Sequence, residues 1–187
     1  MSDGATSHSA LGTKHSALVS TVRKDKIYLV GFMSSGKTTV ARSLGRRLGW
    51  RVEDIDERIE ALERMTVAEI FASRGEPYFR AVEREVLHLL LPPRHVVVAT
   101  GGGTFVDPES RAAINHDGVS VWLDVPFDEI VDRLPADGRR PLASNRAEME
   151  LLYAARRAAY QEAHLRLDAS HARVEELVER LLDWLGF

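Results

Sequence analysis

The sequence predicts an α/β fold in which a parallel sheet of about five strands carries helices on both of its faces. Three observations support this prediction. Short runs rich in β-branched and aromatic residues alternate with longer helical stretches along the chain. The run at 95–99 is apolar after its first residue, which is typical of a buried parallel strand. The length of 187 residues suits one ordinary domain with a single core.

The strand and helix candidates alternate from residue 27 to the end of the chain. In chain order, the predicted strands are 27–30, 50–54, 95–99, 119–123 and 165–167. The predicted helices are 37–48, 57–64, 67–74, 77–91, 108–115, 126–134, 147–164 and 174–185. Because strands that are separated by helices are joined by crossovers, we expect parallel strands with ligands bound at their carboxyl ends.

Glycine and proline residues mark several boundaries between these elements. Gly75 separates two of the predicted helices, and a Pro-Pro pair ends the second of them. Asp107 is expected to cap a helix that has Pro108 in its first position. The segment 135–144 contains Gly, two Pro and paired Arg residues, and it is predicted to be a loop.

Composition limits the functional classes that need to be considered. With 25 Lys and Arg against 28 Asp and Glu, the net charge of −3 does not indicate a nucleic-acid or membrane partner. The chain has no cysteine, which excludes a disulfide framework, a thiolate zinc site and a cysteine nucleophile. Residues 1–24 are rich in small polar residues without an apolar run, and they predict a disordered tail that is not a signal peptide. We expect a cytoplasmic monomer that binds small molecules.

The segment after the first predicted strand carries the strongest functional signal. It matches the pattern G-x-x-x-x-G-K-[ST] between a strand and a helix, and it reads Gly31-Phe32-Met33-Ser34-Ser35-Gly36-Lys37-Thr38. In such a loop, backbone N–H groups and the helix N-terminus hold phosphates, the lysine adds charge at the β- and γ-phosphates, and the hydroxyl binds Mg²⁺. We therefore expect ATP and Mg²⁺ as cofactors. The predicted nucleotide ligands in this segment are Gly31, Ser34, Ser35, Gly36, Lys37, Thr38 and Thr39.

Two charged pairs follow the phosphate loop. Asp54 and Asp56 end the second predicted strand, and side chains two residues apart in an extended segment point to the same side. One carboxylate can help to hold Mg²⁺, and the other can accept a proton from a substrate hydroxyl. Farther along, Glu83 follows Arg80 by three residues, a spacing that lets the carboxylate hold the guanidinium in one pose.

A run of three glycines, Gly101, Gly102 and Gly103, follows the third predicted strand. Such a run is costly to order. We interpret it as a place where a ligand approaches the backbone closely, so that N–H groups can meet an acceptor hydroxyl or carboxylate.

From residue 26 to its end, the chain resembles the shikimate kinase family. The resemblance is carried by the phosphate loop, Asp54-Ile55-Asp56, Gly75-Glu76-Pro77-Tyr78-Phe79-Arg80, the triple glycine, Arg140-Pro141-Leu142, and the R-x-x-x-Y pattern that ends at Tyr160. It implies a P-loop kinase fold with a mobile lid at about 135–146. It also implies transfer of the γ-phosphate of ATP to the 3-hydroxyl of shikimate, which yields shikimate 3-phosphate and ADP on the route to chorismate and the aromatic amino acids.

The resemblance further implies a role for individual residues. Asp54 joins Thr38 in holding the metal. The expected catalytic residues are Lys37, Asp56 as the base, and Arg140, which reaches over the phosphates from the lid. The expected shikimate ligands are Asp56, Arg80, Gly101, Gly102, Gly103 and Arg156. Arg157, the neighbour of Arg156, remains the alternative ligand for the substrate carboxylate. Since the metal already has Asp54, Asp124 is interpreted as the cap of the helix that follows it.

Three other functions fit part of this pattern. A gluconate-type kinase would also combine a phosphate loop with arginines that bind a carboxylate. A nucleoside monophosphate kinase would need a second phosphate-clamping arginine cluster, for which we find no sequence signal. A nucleotide-binding regulator without catalysis should lack a reactive group, whereas the loop lysine and both carboxylates are present. The acceptor-side residues taken together favour shikimate.

Overall fold

The computed structural model describes residues 23–134 and 145–187, so most of the predicted tail and most of the predicted lid lie outside the described residues. Strands and helices alternate through these two ranges. In chain order, the elements are β1 (Lys26–Val30), α1 (Lys37–Leu48), β2 (Arg51–Asp54), α2 (Ile55–Glu63), α3 (Val67–Leu90), β3 (Val96–Ala99), α4 (Pro108–Asp117), β4 (Val119–Asp124), α5 (Phe127–Asp132), α6 (Arg146–Tyr160), β5 (Leu165–Asp168) and α7 (Val174–Leu185).

The five strands form one parallel sheet in the order β2-β3-β1-β4-β5, which confirms the predicted fold class. In the central strand, Ile27 lies opposite Val97 of β3 and Val119 of β4. The connection from β1 to β2 runs in one direction along the sheet, and the later connections run in the other. Because such crossovers are right-handed, α1 covers one face and the later crossovers cover the opposite face. Helix α7 packs against α1.

The three central strands are buried along their whole length because helices cover both faces of the sheet. The switch in direction next to β1 leaves a crevice at the carboxyl ends of β1 and β3, where ligands of such folds bind. Among the described residues, we find no helix that is both long enough and apolar enough to span a membrane.

A buried ion pair closes the opposite end of the sheet. Lys26 at the start of β1 is fully buried, and its Nζ donates to Asp117 Oδ2 at 2.7 Å and to the last carbonyl of α3 at 2.6 Å. Tyr28 donates to the same carboxylate oxygen, and Arg94 lies 2.8 Å from the other. Burial lowers the pKa of Lys26. Burial also tends to raise the pKa of Asp117, but the hydrogen bonds from Lys26 and Tyr28 outweigh it and hold that pKa below its usual value.

We expect the substitution Asp117→Asn to lower the free energy of unfolding by about 3–5 kcal/mol, because it leaves the buried Lys26 ammonium without its counter-charge. Urea denaturation measures this loss. Glu57→Gln is the matched control, since Glu57 pairs with Arg42 and both side chains are more than half exposed. That change should cost no more than about 1 kcal/mol. Equal losses in the two variants would contradict the prediction.

Several helix boundaries differ from the predicted ones, including those of α2, α3 and α6. Helix α2 begins at Ile55 rather than at residue 57, because the Asp54 side chain accepts hydrogen bonds from the N–H groups of Asp56 (3.0 Å) and Glu57 (3.3 Å). The predicted helices 67–74 and 77–91 form one element, α3, whose helical path breaks at Gly75 with φ 78° and ψ 170°. Helix α6 ends at Tyr160, four residues earlier than predicted, and a turn leads from it to β5.

The two predictions about helix caps have different outcomes. Asp107 caps α4, as predicted, by accepting a hydrogen bond from the N–H of Ser110 at 2.9 Å. Asp124 was predicted to cap α5, and this is wrong. The cap residue of α5 is Pro126, which has no side-chain hydrogen bond, and the Asp124 carboxylate pairs with Arg157 and Arg166 instead. A buried carboxylate is stabilised more strongly by two guanidinium groups than by a helix N-terminus.

Candidate active site

A cavity of about 370 Å³ opens at the carboxyl ends of β1, β2 and β3. It lies at the crevice that the strand order predicts. The residues that line it are Ser34, Gly36, Lys37, Thr38, Thr39, Asp54, Asp56, Thr100, Gly102 and Arg133. Most of the predicted nucleotide ligands therefore line the same cavity as two of the predicted acceptor ligands, Asp56 and Gly102.

The phosphate loop owes its shape to three residues with positive φ. These are Gly31 (139°), Ser34 (58°) and Gly36 (91°). A Cβ at Gly31 would lie 2.9 Å from the carbonyl oxygen of Leu123, so both the space and the backbone angle favour glycine there. A positive φ at Ser34 is uncommon for a residue with a side chain, and such strain occurs preferentially at functional sites. The loop ends where α1 begins, and the helix N-terminus faces the cavity.

Lys37 and Thr38 point to different partners across the loop. The Lys37 side chain is mostly buried, and its Nζ donates to the carbonyl oxygens of Gly31 at 3.0 Å and Phe32 at 2.7 Å. Thr38 donates from Oγ1 to Asp54 Oδ2 at 2.6 Å. A hydroxyl oxygen and a carboxylate oxygen are hard ligands of the kind that Mg²⁺ prefers, so these two residues fit a magnesium ion bound beside the phosphates.

Asp54 and Asp56 both line the cavity, but for a different reason from the one predicted. The prediction placed both residues in an extended segment. In the structure, β2 ends at Asp54 and Asp56 lies in the first turn of α2. The two carboxylates still reach the same space because the helix begins directly at the end of the strand. Asp54 Oδ2 binds Thr38, and its Oδ1 caps the helix.

Arg80 is held by carboxylates from its own helix. Its Nη1 donates to Glu83 Oε2 at 2.7 Å, and its Nε and Nη2 donate to the exposed Glu76 at 3.2 Å and 3.0 Å. Glu83 is buried, and its other oxygen accepts a hydrogen bond from Thr104 Oγ1 at 2.7 Å. Burial lowers the pKa of Arg80, but the charge of Glu83 and its hydrogen bond outweigh burial and raise that pKa above its usual value. The predicted contact between Arg80 and Glu83 is present.

The triple glycine lies directly beneath these acceptor-side groups. A Cβ at Gly101 would lie 2.4 Å from Glu83 Oε1 and 2.9 Å from Asp56 Oδ1, and a Cβ at Gly103 would lie 2.3 Å from Arg80 Nη1. The prediction attributed the glycines to the close approach of a ligand. The structure gives a second reason, since the protein's own side chains occupy the space where a Cβ would stand. This packing also places Asp56 and Arg80 over the same loop.

Arg156 and Arg157 point to different places from adjacent positions on α6. Arg156 is buried, its Nη1 donates to the carbonyl oxygen of Gly102 at 3.2 Å, and its guanidinium lies 5.6 Å from the centre of the Phe32 ring. Burial raises the pKa of Tyr160 to about 12, and its hydroxyl donates to the same Gly102 carbonyl. Arg157 pairs with Asp124. Of the two arginines, Arg156 is the one that faces the triple glycine.

One predicted site residue lies outside the described residues, and two of the cavity residues, Thr100 and Arg133, were not predicted as ligands. Arg140 belongs to the segment 135–144, of which nothing is described. Arg133, just after the last residue of α5, lines the cavity and pairs with Glu129 at 2.7 Å. It is a lone arginine at a helix end and belongs to none of the motifs. Thr104, which orients Glu83, was adjacent to the triple glycine and could have been considered.

A family model and curated relatives match most of this chain. The family model described as shikimate kinase matches residues 33–186. Shikimate kinase from Persephonella marina is 38% identical over 157 residues, which is 83% of this chain and 96% of the relative. Shikimate kinase from Synechococcus elongatus is 37% identical over 171 residues, 89% of this chain and 90% of the relative.

Solved structures extend the comparison to the fold. The structure of shikimate kinase from Acinetobacter baumannii in complex with shikimate has a TM-score of 0.84 and 31% identity, and the match covers 90% of this chain and 97% of that one. Deoxyadenosine kinase from M. mycoides shares the fold alone, with a TM-score of 0.61 and 14% identity over 87% of this chain and 100% of that one. The chain therefore belongs to the shikimate kinase family, and it is an ATP-dependent kinase.

Proposed function

We propose that the cavity transfers the γ-phosphate of ATP to the 3-hydroxyl of shikimate and releases shikimate 3-phosphate and ADP. One observation carries the proposal. Asp56, Arg80 and Arg156 converge on the triple-glycine loop, next to the mouth of the phosphate loop. The arrangement offers a carboxylate for the acceptor hydroxyl, two guanidinium groups for the acceptor carboxylate, and a phosphate site beside them.

The nucleotide side of the site binds and orients the phosphates. The loop N–H groups and the N-terminus of α1 hold the phosphate oxygens, and Lys37 turns from the loop carbonyls to the β- and γ-phosphates. Thr38 and Asp54 would hold Mg²⁺, whose charge offsets the negative charge that the phosphates carry. Arg140 is proposed to reach over the phosphates from the lid, whose closure excludes water that would otherwise hydrolyse ATP.

The acceptor side fixes shikimate by charge and shape. Arg80, aimed by Glu83, and Arg156, aimed by the Gly102 carbonyl, meet the substrate carboxylate from two elements. The backbone N–H groups of Gly101, Gly102 and Gly103 complete the binding surface. Asp56 then accepts a hydrogen bond from the 3-hydroxyl and aims it at the γ-phosphate.

A panel assay for ADP release tests the acceptor. The purified chain is incubated with ATP and Mg²⁺, and with shikimate, gluconate, a nucleoside monophosphate or no acceptor. We expect ADP release that depends on shikimate. If ADP release depends only on gluconate, or only on a nucleoside monophosphate, the corresponding kinase activity replaces the proposed one. Release that is equal with and without acceptors would reduce the site to an ATPase.

We further propose that the chain acts as a monomer in the cytoplasm. The absence of cysteine fits a reducing compartment. Every residue that the proposal uses comes from one chain. Light scattering should give a solution mass near the 20.9 kDa of one chain, and a mass twice as large would contradict the monomer.

We expect Arg80→Ala and Arg156→Ala each to raise the KM for shikimate or to lower turnover by at least about tenfold. Each removes charge-assisted hydrogen bonds worth roughly 1.5–3 kcal/mol, and about 1.4 kcal/mol corresponds to a factor of ten. The affinity for ATP without acceptor, measured by calorimetry, should change much less. If Arg156→Ala leaves the KM for shikimate and the turnover unchanged, and Arg157→Ala shows the expected loss, then Arg157 is the carboxylate ligand.

A further inference from the structure

Asp124, at the end of β4, is a buried carboxylate that the proposed reaction does not use. Its side chain is 6% exposed. Arg157 of α6 approaches it as a fork, with Nη1 3.0 Å from Oδ1 and Nη2 3.3 Å from Oδ2. Arg166 of β5 donates from Nε to Oδ2 at 2.8 Å. Burying a carboxylate is costly without such partners, so the two arginines and Asp124 form one unit.

Arg157 also connects α6 to the phosphate loop, through Tyr153. Arg157 Nη1 also donates to the hydroxyl oxygen of Tyr153, one turn earlier, at 2.6 Å. Tyr153 in turn donates to the carbonyl oxygen of Val125 at 3.0 Å. The Tyr153 ring meets the Phe32 ring of the phosphate loop edge-on, with the ring centres 5.4 Å apart. One face of α6 is thus held against the end of β4 and against the phosphate loop.

The adjacent residue on α6 is Arg156, which faces the triple glycine. Successive residues on an α-helix are rotated by about 100°, so a fixed direction for one side chain fixes the direction of the next. The fork on Asp124 therefore sets the rotation of α6 that brings Arg156 Nη1 to 3.2 Å from the Gly102 carbonyl oxygen. A guanidinium group can fix the rotation of a helix because its planar fork makes two hydrogen bonds to one carboxylate.

We propose that Arg157 is a positioning residue for acceptor binding, which holds Arg156 against the triple-glycine loop through its fork on Asp124. The inference rests on the proposed role of Arg156 as a ligand of the acceptor carboxylate. Arg166 provides the matched control. It binds the same carboxylate and lies over the same Trp122 ring as Arg157, at 5.4 Å and 5.0 Å from its centre, but it extends from β5 and not from α6.

The experiment compares Arg157→Ala, Arg157→Lys and Arg166→Ala by steady-state kinetics with shikimate and ATP, and by thermal melting. We expect Arg157→Ala to raise the KM for shikimate by about fivefold or more, within the range of coupling between residues in contact. Arg157→Lys should remain impaired, because one ammonium group does not replace the fork. Arg166→Ala should keep the wild-type KM for shikimate. The KM for ATP should stay unchanged in Arg166→Ala, and in the two Arg157 variants it should change less than the KM for shikimate.

A double-mutant cycle between Arg157→Ala and Asp124→Asn separates positioning from direct contact. If Arg157 acts through Asp124, the double variant should be no worse than the more impaired single variant. If the two substitutions multiply their effects on the KM for shikimate in the double variant, Arg157 contacts the acceptor directly. If Arg157→Ala and Arg166→Ala raise this KM equally, the effect is a general loosening of the structure. Either result overturns the inference. An unchanged KM for shikimate in Arg156→Ala would instead remove the proposed carboxylate ligand, and the inference with it.

Discussion

Lys37→Ala is expected to abolish turnover while the protein stays folded. The Lys37 ammonium group lies within the phosphate loop, held by the carbonyl oxygens of Gly31 and Phe32. From there it can follow the charge that develops on the transferring phosphoryl group. Removal of a cation that stabilises this charge costs roughly 10³-fold or more in turnover. The fold should survive, because alanine favours the first turn of α1.

The measurement is ADP release at saturating ATP and shikimate, with circular dichroism as the check on folding. Lys24→Ala serves as the control. Lys24 binds the carbonyl oxygen of Leu185 at the end of α7, away from the cavity residues, so its loss should leave turnover unchanged. Turnover close to that of the wild type in the folded Lys37→Ala protein would refute the assignment of the phosphate loop.

Much of the fold could be predicted because its signals are local. The alternation of strands and helices, the glycine-rich turn before α1 and the cap at Asp107 each depend on residues that are close in sequence. The strand order β2-β3-β1-β4-β5 is not local, and no spacing in the sequence specifies it. Helix α2 began earlier than predicted because Asp54 caps it, a choice that depends on where the preceding strand ends.

The site could be predicted where residues belong to motifs, and it could not where they act through contacts between distant elements. Arg133 reaches the cavity only because α5 ends beside it. The pairing of Asp124 with Arg157 joins residues 33 positions apart. Nothing near Asp124 in the sequence indicates those partners, and the local alternative, a helix cap, was the wrong interpretation. The crowding of Gly101 by Glu83 and Asp56 likewise appears only in three dimensions.

The second large loss of turnover is expected from Asp56→Asn, because Asp56 and Asp54 are proposed to have different roles. The acceptor hydroxyl is a poor nucleophile while it is protonated. Asp56 is proposed to accept a hydrogen bond from that hydroxyl, direct its lone pair towards the γ-phosphate and take the proton as the new bond forms. The substitution Asp56→Asn keeps the shape and removes the charge. We expect turnover to fall by about 10²–10⁴, the usual contribution of a general base, while ATP still binds.

Asp54→Asn should behave differently because Asp54 is proposed to hold the metal together with Thr38, at a distance of 2.6 Å between their oxygens. Asparagine caps helices about as well as aspartate, so α2 should keep its N-terminus and the defect should report on the metal. Loss of one anionic ligand weakens Mg²⁺ binding, and a higher Mg²⁺ concentration should restore part of the activity.

A titration of turnover against Mg²⁺, carried out on both variants, tests this assignment. The activity of Asp54→Asn should rise as Mg²⁺ increases beyond the concentration that saturates the wild type. Asp56→Asn should stay on its low plateau, because added metal does not supply a base. If excess Mg²⁺ rescues Asp56→Asn and leaves Asp54→Asn unchanged, the roles of the two carboxylates are reversed.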